Sequence, residues 1–224
     1  MKLILSWSGG KDSAMSLYTL RQTNEHDVTA LLTTVTRDYD RISMHGVRRT
    51  LLHQQAEAVG LPVIEVFITP GAGNDEYETN MGAVLAAYKA QGIEGVAFGD
   101  IFLEDLRVYR ENNLAKLDLE AVFPVWKRDT RELARTFLDM GFKAVVTCVD
   151  NQVLDSSFAG RTIDADFLRA LPEGVDPCGE NGEFHSFVFD GPVFSHPIPF
   201  TRGELVLRDD RFYYCDLIPS AEIH

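Results

Sequence analysis

KLILSWSGGKDSAMS, residues 2–16, decides how the rest of the chain is read. Leu3, Ile4, Leu5 and Trp7 form an apolar run of strand length, and it stops at Ser8-Gly9-Gly10-Lys11-Asp12-Ser13. A helical pattern follows, with Ala14, Leu17 and Tyr18 on one face. Strand, glycine turn and helix start let backbone N–H groups converge on phosphate oxygens. Gly9 and Gly10 remove the Cβ atoms that would block close approach and allow positive φ. Ser8 and Ser13 add hydroxyls, and Lys11 adds a mobile positive charge. The pattern is neither the Walker sequence nor the GxGxxG dinucleotide turn.

The bulk numbers bound the answer. The 224 residues suit one large domain or two small ones, and 45% hydrophobic with 25% charged residues is the make-up of a globular chain. No apolar run reaches the ~18 residues a membrane span needs. The chain enters a strand at once, without a signal-peptide pattern, so a cytoplasmic protein is expected. A net charge of −13 repels DNA and argues against an RNA substrate. Cys148, Cys178 and Cys215 make no CxxC and no zinc spacing, and read as free, buried thiols.

Along the chain, strands over 28–35, 63–68 and 96–98 alternate with helices. One helix opens at His45-Gly46 and ends at Gly60-Leu61-Pro62, and others cover 75–91 and 103–116. Such alternation predicts βαβ crossovers and a parallel sheet, whose ligands sit beyond the carboxyl ends of the strands. That rule selects residues 8–13, 34–45 (Thr34 and His45 among them), 69–75 and Gly99-Asp100 as one rim. Asp100 reads either as a site carboxylate or as a helix cap. Arg107 and Glu111 have the spacing of a helical ion pair. Beyond an amphipathic helix over 130–140 and a buried strand over 142–149, the chain is rich in Asp, Gly and Pro. Short alternating runs over 184–189, 205–207 and 212–217 look antiparallel. A boundary near residues 125–130 divides the chain into 1–127 and 128–224.

The second half carries its own signal, PCGENGEFHS at residues 177–186. It sets Cys178, Glu180, Asn181, Glu183 and His185 around two glycines just before a strand. A solvated Gly-Asn turn would serve the same backbone, and His185 has apolar neighbours that suit a core histidine.

SGGKDS resembles the pyrophosphate loop of the N-type ATP pyrophosphatases. With Gly99-Asp100-Ile101, Pro124-Val125-Trp126, GENGEFHSF and Asp190-Gly191-Pro192, most of the chain resembles the diphthine–ammonia ligase family, closest to its bacterial branch. The resemblance implies a Rossmann-like (HUP-type) parallel-sheet nucleotide domain with a smaller α+β C-terminal domain. It implies cleavage of ATP to AMP and pyrophosphate, adenylation of an acceptor carboxylate and amide formation with ammonia. The acceptor is diphthine on elongation factor 2 by resemblance, or an unknown small carboxylate. A homodimer is compatible with this reading.

In this scheme Ser8, Gly9, Gly10, Lys11, Asp12 and Ser13 hold the phosphates, with Thr34, His45, Gly99 and Asp100 lining the nucleotide site. Asp12 and Asp100 are the expected oxygen ligands for Mg²⁺, and Lys11 neutralises the leaving pyrophosphate. Glu180, Glu183 and His185 are the candidate bases for ammonia. Two other readings use the same loop: a sulfur transferase with Cys148 and Cys178 as its cysteine pair, and a sensor that binds a nucleotide without turnover.

Overall fold

A computed structural model describes residues 1–23, 25–71 and 73–220. The first sheet is built from β1 (Lys2–Ser6), β2 (Asp27–Thr36), β3 (Arg41–Ile42), β4 (Val63–Ile68), β5 (Gly95–Ala97) and β6 (Glu120–Val122). Its parallel strands run in the order β4-β2-β1-β5-β6, with β3 antiparallel to the end of β2. The crossovers are α1 (Lys11–Thr23), α2 (Arg49–Val59), α3 (Asn74–Lys89) and α4 (Glu104–Ala115). The order reverses at β1, whose neighbours are β2 and β5, and the crevice of an α/β sheet opens at such a reversal. The loop over 8–13 therefore leaves the strand at the switch point.

β1 is apolar throughout because both of its faces are covered. Leu3 and Leu5 enter one core with α1, α2 and the second half of the chain. Ile4 enters a separate core with Leu32, Val96, Leu85 and Leu114 under α3 and α4. That is the two-residue alternation of a strand buried on both sides.

The second sheet centres on β7 (Lys143–Asp150), which follows α5 (Thr130–Asp139). β9 (Phe184–Asp190) pairs along one edge of β7. β8 (Thr162–Ile163) and β11 (Phe212–Pro219) pair with opposite ends of β7, and β10 (Phe200–Arg208) pairs with β11. All of these pairs are antiparallel, and α6 (Ala165–Ala170) lies between β8 and β9 in the chain. Both sheets feed one apolar core, in which Leu5, Trp7 and Leu51 join Val145, Phe187 and Leu217.

Two local expectations are corrected. No helix opens at His45-Gly46: α2 starts at Arg49 because Met44 and Gly46 have φ of 65° and 66°, left-handed values that a right-handed helix cannot contain. β6 was not expected, since only three residues pair there. The rim loop over 69–75 contains Ala72, which lies outside the described residues.

Candidate active site

The glycine turn is held from behind by a glutamine. Gly9 has φ of +77°, and a Cβ there would come within 2.5 Å of Gln55 Oε1. Gln55 is fully buried. Its Nε2 donates to the carbonyls of Gly9 (3.0 Å) and Val188 (2.6 Å), and its Oε1 accepts from Trp7 Nε1 (3.0 Å). The Val188 N–H also donates to the Gly9 carbonyl, at 2.8 Å. β9 is thus docked edge-on against the turn that follows β1. Gly99 closes the other side, where an added Cβ would sit 3.0–3.2 Å from backbone atoms of Asp12 and Ser13.

Within the turn, Ser8 Oγ accepts from the Gly10 N–H (3.2 Å), and Ser13 Oγ donates to the Gly10 carbonyl (2.9 Å). The Lys11 N–H donates to Ser186 Oγ at 3.2 Å. The Lys11 side chain is buried and meets both Asp12 oxygens, at 2.9 and 2.8 Å. Its ammonium also donates to the Cys178 carbonyl and lies over the Phe184 ring. Burial alone would lower the Lys11 pKa, but Asp12, Cys178 and Glu180 outweigh it and the ammonium is stabilised. Burial pushes the Asp12 carboxyl up, against the pull of Lys11, while its side chain keeps 28% exposure.

The loop over 176–183 brings the second signature to this lysine, and its two glutamates differ in role. Glu183 is tied into its own turn, accepting from the N–H groups of Asp176 and Asn181 (3.0 Å each) and from Asn181 Nδ2 (2.9 Å). Glu180 reaches across to the nucleotide half, where Oε1 accepts from the N–H groups of Ile101 (2.7 Å) and Phe102 (3.3 Å). Burial is the largest influence on Glu180; it outweighs those N–H groups and raises the carboxyl to about 7. A carboxyl near 7 can give or take a proton at neutral pH.

The His45 and His185 rings lie with centroids 4.5 Å apart and their planes tilted by 37°. His45 Nδ1 lies 3.2 Å from the Ser186 carbonyl, so the Nδ1–H tautomer donates there. Burial, then the neighbouring cation Lys11, lowers His185 to about 4, and burial with His185 lowers His45 well below its usual value. Both shifts favour the neutral form of the rings.

The sequence-selected residues fall into three groups. Lys11 pairs with Asp12, Glu180 reaches the backbone of Ile101, and His45 lies against His185 beside Ser186, while Ser8, Gly9, Gly10, Ser13 and Gly99 form the turn and its backbone neighbour. Glu183 shapes the loop, and Thr34 takes part through its carbonyl, which accepts from the Ser43 N–H (3.0 Å). Asp100 is no open carboxylate: Arg110 holds both of its oxygens, at 2.5 and 3.1 Å. Among the described residues, no three His, Cys, Asp or Glu side chains converge as a cation site. Gln55 and Ser186 were not anticipated. Gln55 could have been found, as a polar residue on the buried stripe of Leu51, Leu52, Ala56 and Val59 that must have partners.

Comparison with known proteins covers both halves of the chain. The family model described as the diphthamide synthase N-terminal domain matches residues 1–121, and that of the diphthamide synthase C-terminal domain matches residues 129–216. The chain belongs to the diphthamide synthase family. Within this family, the chain is 28% identical over 251 residues to the diphthine–ammonia ligase of Danio rerio, covering 100% of this chain and 96% of that one. It is 25% identical to the Homo sapiens enzyme of the same name, covering 100% and 92%. The Saccharomyces cerevisiae ligase is 24% identical over 88% of this chain and 34% of its own length. Among solved structures, a U34-tRNA thiolase from Methanococcus maripaludis aligns with a TM-score of 0.39 and 14% identity, over 62% of this chain and 57% of that one.

Proposed function

We propose that this member of the diphthamide synthase family is an ATP-dependent ligase that adenylates an acceptor carboxylate and then forms an amide with ammonia. The observation that carries the reading is the meeting of both signatures around Lys11, with Glu180 brought over from the second half. The N–H groups at the start of α1 and the Ser8 and Ser13 hydroxyls receive the β- and γ-phosphates. The acceptor carboxylate oxygen attacks the α-phosphorus, and the α–β bridging P–O bond breaks with its electrons leaving on pyrophosphate. Lys11 offsets that charge. Ammonia then attacks the acyl carbon, AMP leaves with the bridging oxygen, and Glu180 takes the proton released by nitrogen.

Mg²⁺ enters this scheme with the nucleotide, where it would neutralise phosphate charge. Such an ion keeps several waters and uses one or two carboxylates beside the phosphates. Asp12 has the open flank for it, whereas Asp100 is engaged by Arg110. A diphthine-bearing acceptor follows the name of the relatives. A small free carboxylate is the alternative.

Sulfur transfer is disfavoured by the thiols themselves. Burial pushes both Cys148 and Cys178 up to about 12, and Cys178 Sγ points at the Thr130 carbonyl (3.4 Å). Thiols that stay protonated are poor nucleophiles.

The test separates the half-reactions. Labelled pyrophosphate exchange into ATP reports adenylation, and mass spectrometry reports the amide. Glu180→Gln should keep acceptor-dependent exchange and lose amide formation by about 10²–10⁴-fold, the usual worth of a general base. Unchanged amide formation in this variant would overturn the assignment.

A further inference from the structure

The phosphate cradle is short of positive charge. Lys11 is already held by both Asp12 oxygens and the Cys178 carbonyl, and Arg110 is held by Asp100. Asp12 and Glu180 add negative charge around the same ammonium. A triphosphate delivered into this cradle with its Mg²⁺ finds both protein cations already committed, so the backbone N–H groups of α1 are left to balance the remaining charge.

Two imidazoles, His45 and His185, lie together beside this turn with their rings tilted by 37°. His45 Cε1 lies 3.1 Å from the position a Gly10 Cβ would occupy, so the ring edge borders the phosphate turn itself. Nδ1 of His45 is engaged by the Ser186 carbonyl, which leaves Nε2 as a lone-pair nitrogen. An unprotonated imidazole nitrogen repels any phosphate oxygen it meets, whereas a protonated one donates to it.

We infer that His45 and His185 act as a proton-accepting wall of the phosphate site, and that binding of a triphosphate draws one proton from solvent onto the pair. The inference rests on the reading of residues 8–13 as the phosphate loop. The close pair accommodates the change, because one ring can carry the proton while the other, 4.5 Å away, stays neutral. The surroundings are suited to it. Lys11 on α1 disfavours the charged pair while the site is empty, and phosphate charge would reverse that balance. Cys148 on β7 pairs opposite His185 and stays protonated. On β11, Tyr214 packs under Gly46 with its hydroxyl pushed further up by burial and Cys148, so it is neutral as well. Arg41 and Arg48, which flank the His45 loop, are both committed to Asp216.

The probe is α,β-methylene-ATP with Mg²⁺, titrated calorimetrically at pH 7.0 in two buffers of unlike ionisation enthalpy. Wild type should take up about one proton more than His45→Gln, the difference that linkage assigns to one titrating group. Glu180→Gln must retain that histidine-borne share, since Glu180 also titrates near neutrality. Equal uptake by wild type, His45→Gln and His185→Gln would overturn the inference, as would loss of the uptake in Glu180→Gln alone. A variant-free readout guards against misfolding: the histidine Cε1–H resonances of wild type should move to imidazolium positions at pH 7.0 on adding pyrophosphate. Unmoved resonances at saturation would overturn it too. Binding without a histidine-borne proton sinks this inference only, whereas failure of the analogue and pyrophosphate to bind at all sinks the phosphate-loop reading with it.

Discussion

Replacing Gln55 with Leu tests how the two halves are joined. Leucine nearly conserves volume, so the change removes hydrogen bonds without opening a large cavity. Three groups lose a partner: Trp7 Nε1, the Gly9 carbonyl and the Val188 carbonyl. The Gly9 carbonyl keeps the Val188 N–H at 2.8 Å and stays satisfied. The other two become orphans. The N–H and C=O of one strand residue point to the same edge, so the Val188 carbonyl faces the turn, away from β7. Each buried orphan costs about 1–3 kcal/mol, giving about 2–6 kcal/mol for the pair. Against a typical total of about 5–15 kcal/mol, that loss is large. Equilibrium denaturation with linear extrapolation measures it, with the exposed Gln91→Leu as a control expected within about 0.5 kcal/mol of wild type. A loss below about 1 kcal/mol for Gln55→Leu would refute the view that one buried amide anchors the phosphate turn to β9.

Further outcomes follow from the same geometry. Amide formation should rise with pH through about 7, because the carboxylate form of Glu180 is the base and its carboxyl is raised to about 7; Glu180→Gln should lose that limb in a rate–pH profile. Gly99→Ala should weaken ATP binding, since its Cβ would press on the backbone of Asp12 and Ser13, which cannot swing aside; a binding titration with an unchanged Kd would contradict this. Cys178→Ser should retain amide formation within a few-fold, because the lysine uses the Cys178 carbonyl and leaves the thiol idle; inactivation of this variant with its stability intact would revive sulfur chemistry.

Much of the fold could be read from short-range pattern. The β1 turn and α1 show themselves through a change of period at two glycines, and the rim followed from the rule for parallel sheets. The loop over 43–47 could not be read in the same way. Its path depends on left-handed Met44 and Gly46, and on Asp216 gripping Arg41 and Arg48 from β11, a contact across more than half the chain. The equivalence of Glu180 and Glu183 in the sequence was also broken only by long-range geometry. One meets the amides of Ile101 and Phe102, and the other closes its own turn. Asp100 stayed open between a site carboxylate and a helix cap because its partner, Arg110, lies ten positions on, inside what reads as a solvated charge run.

The nucleotide products test the central claim most directly. Purified protein, ATP, Mg²⁺, ammonium and an acceptor-containing cell extract should yield AMP and pyrophosphate in equal amounts, with none of either from Lys11→Ala. ADP and phosphate from the wild-type protein would contradict the account, because they would place bond cleavage at the γ-phosphate.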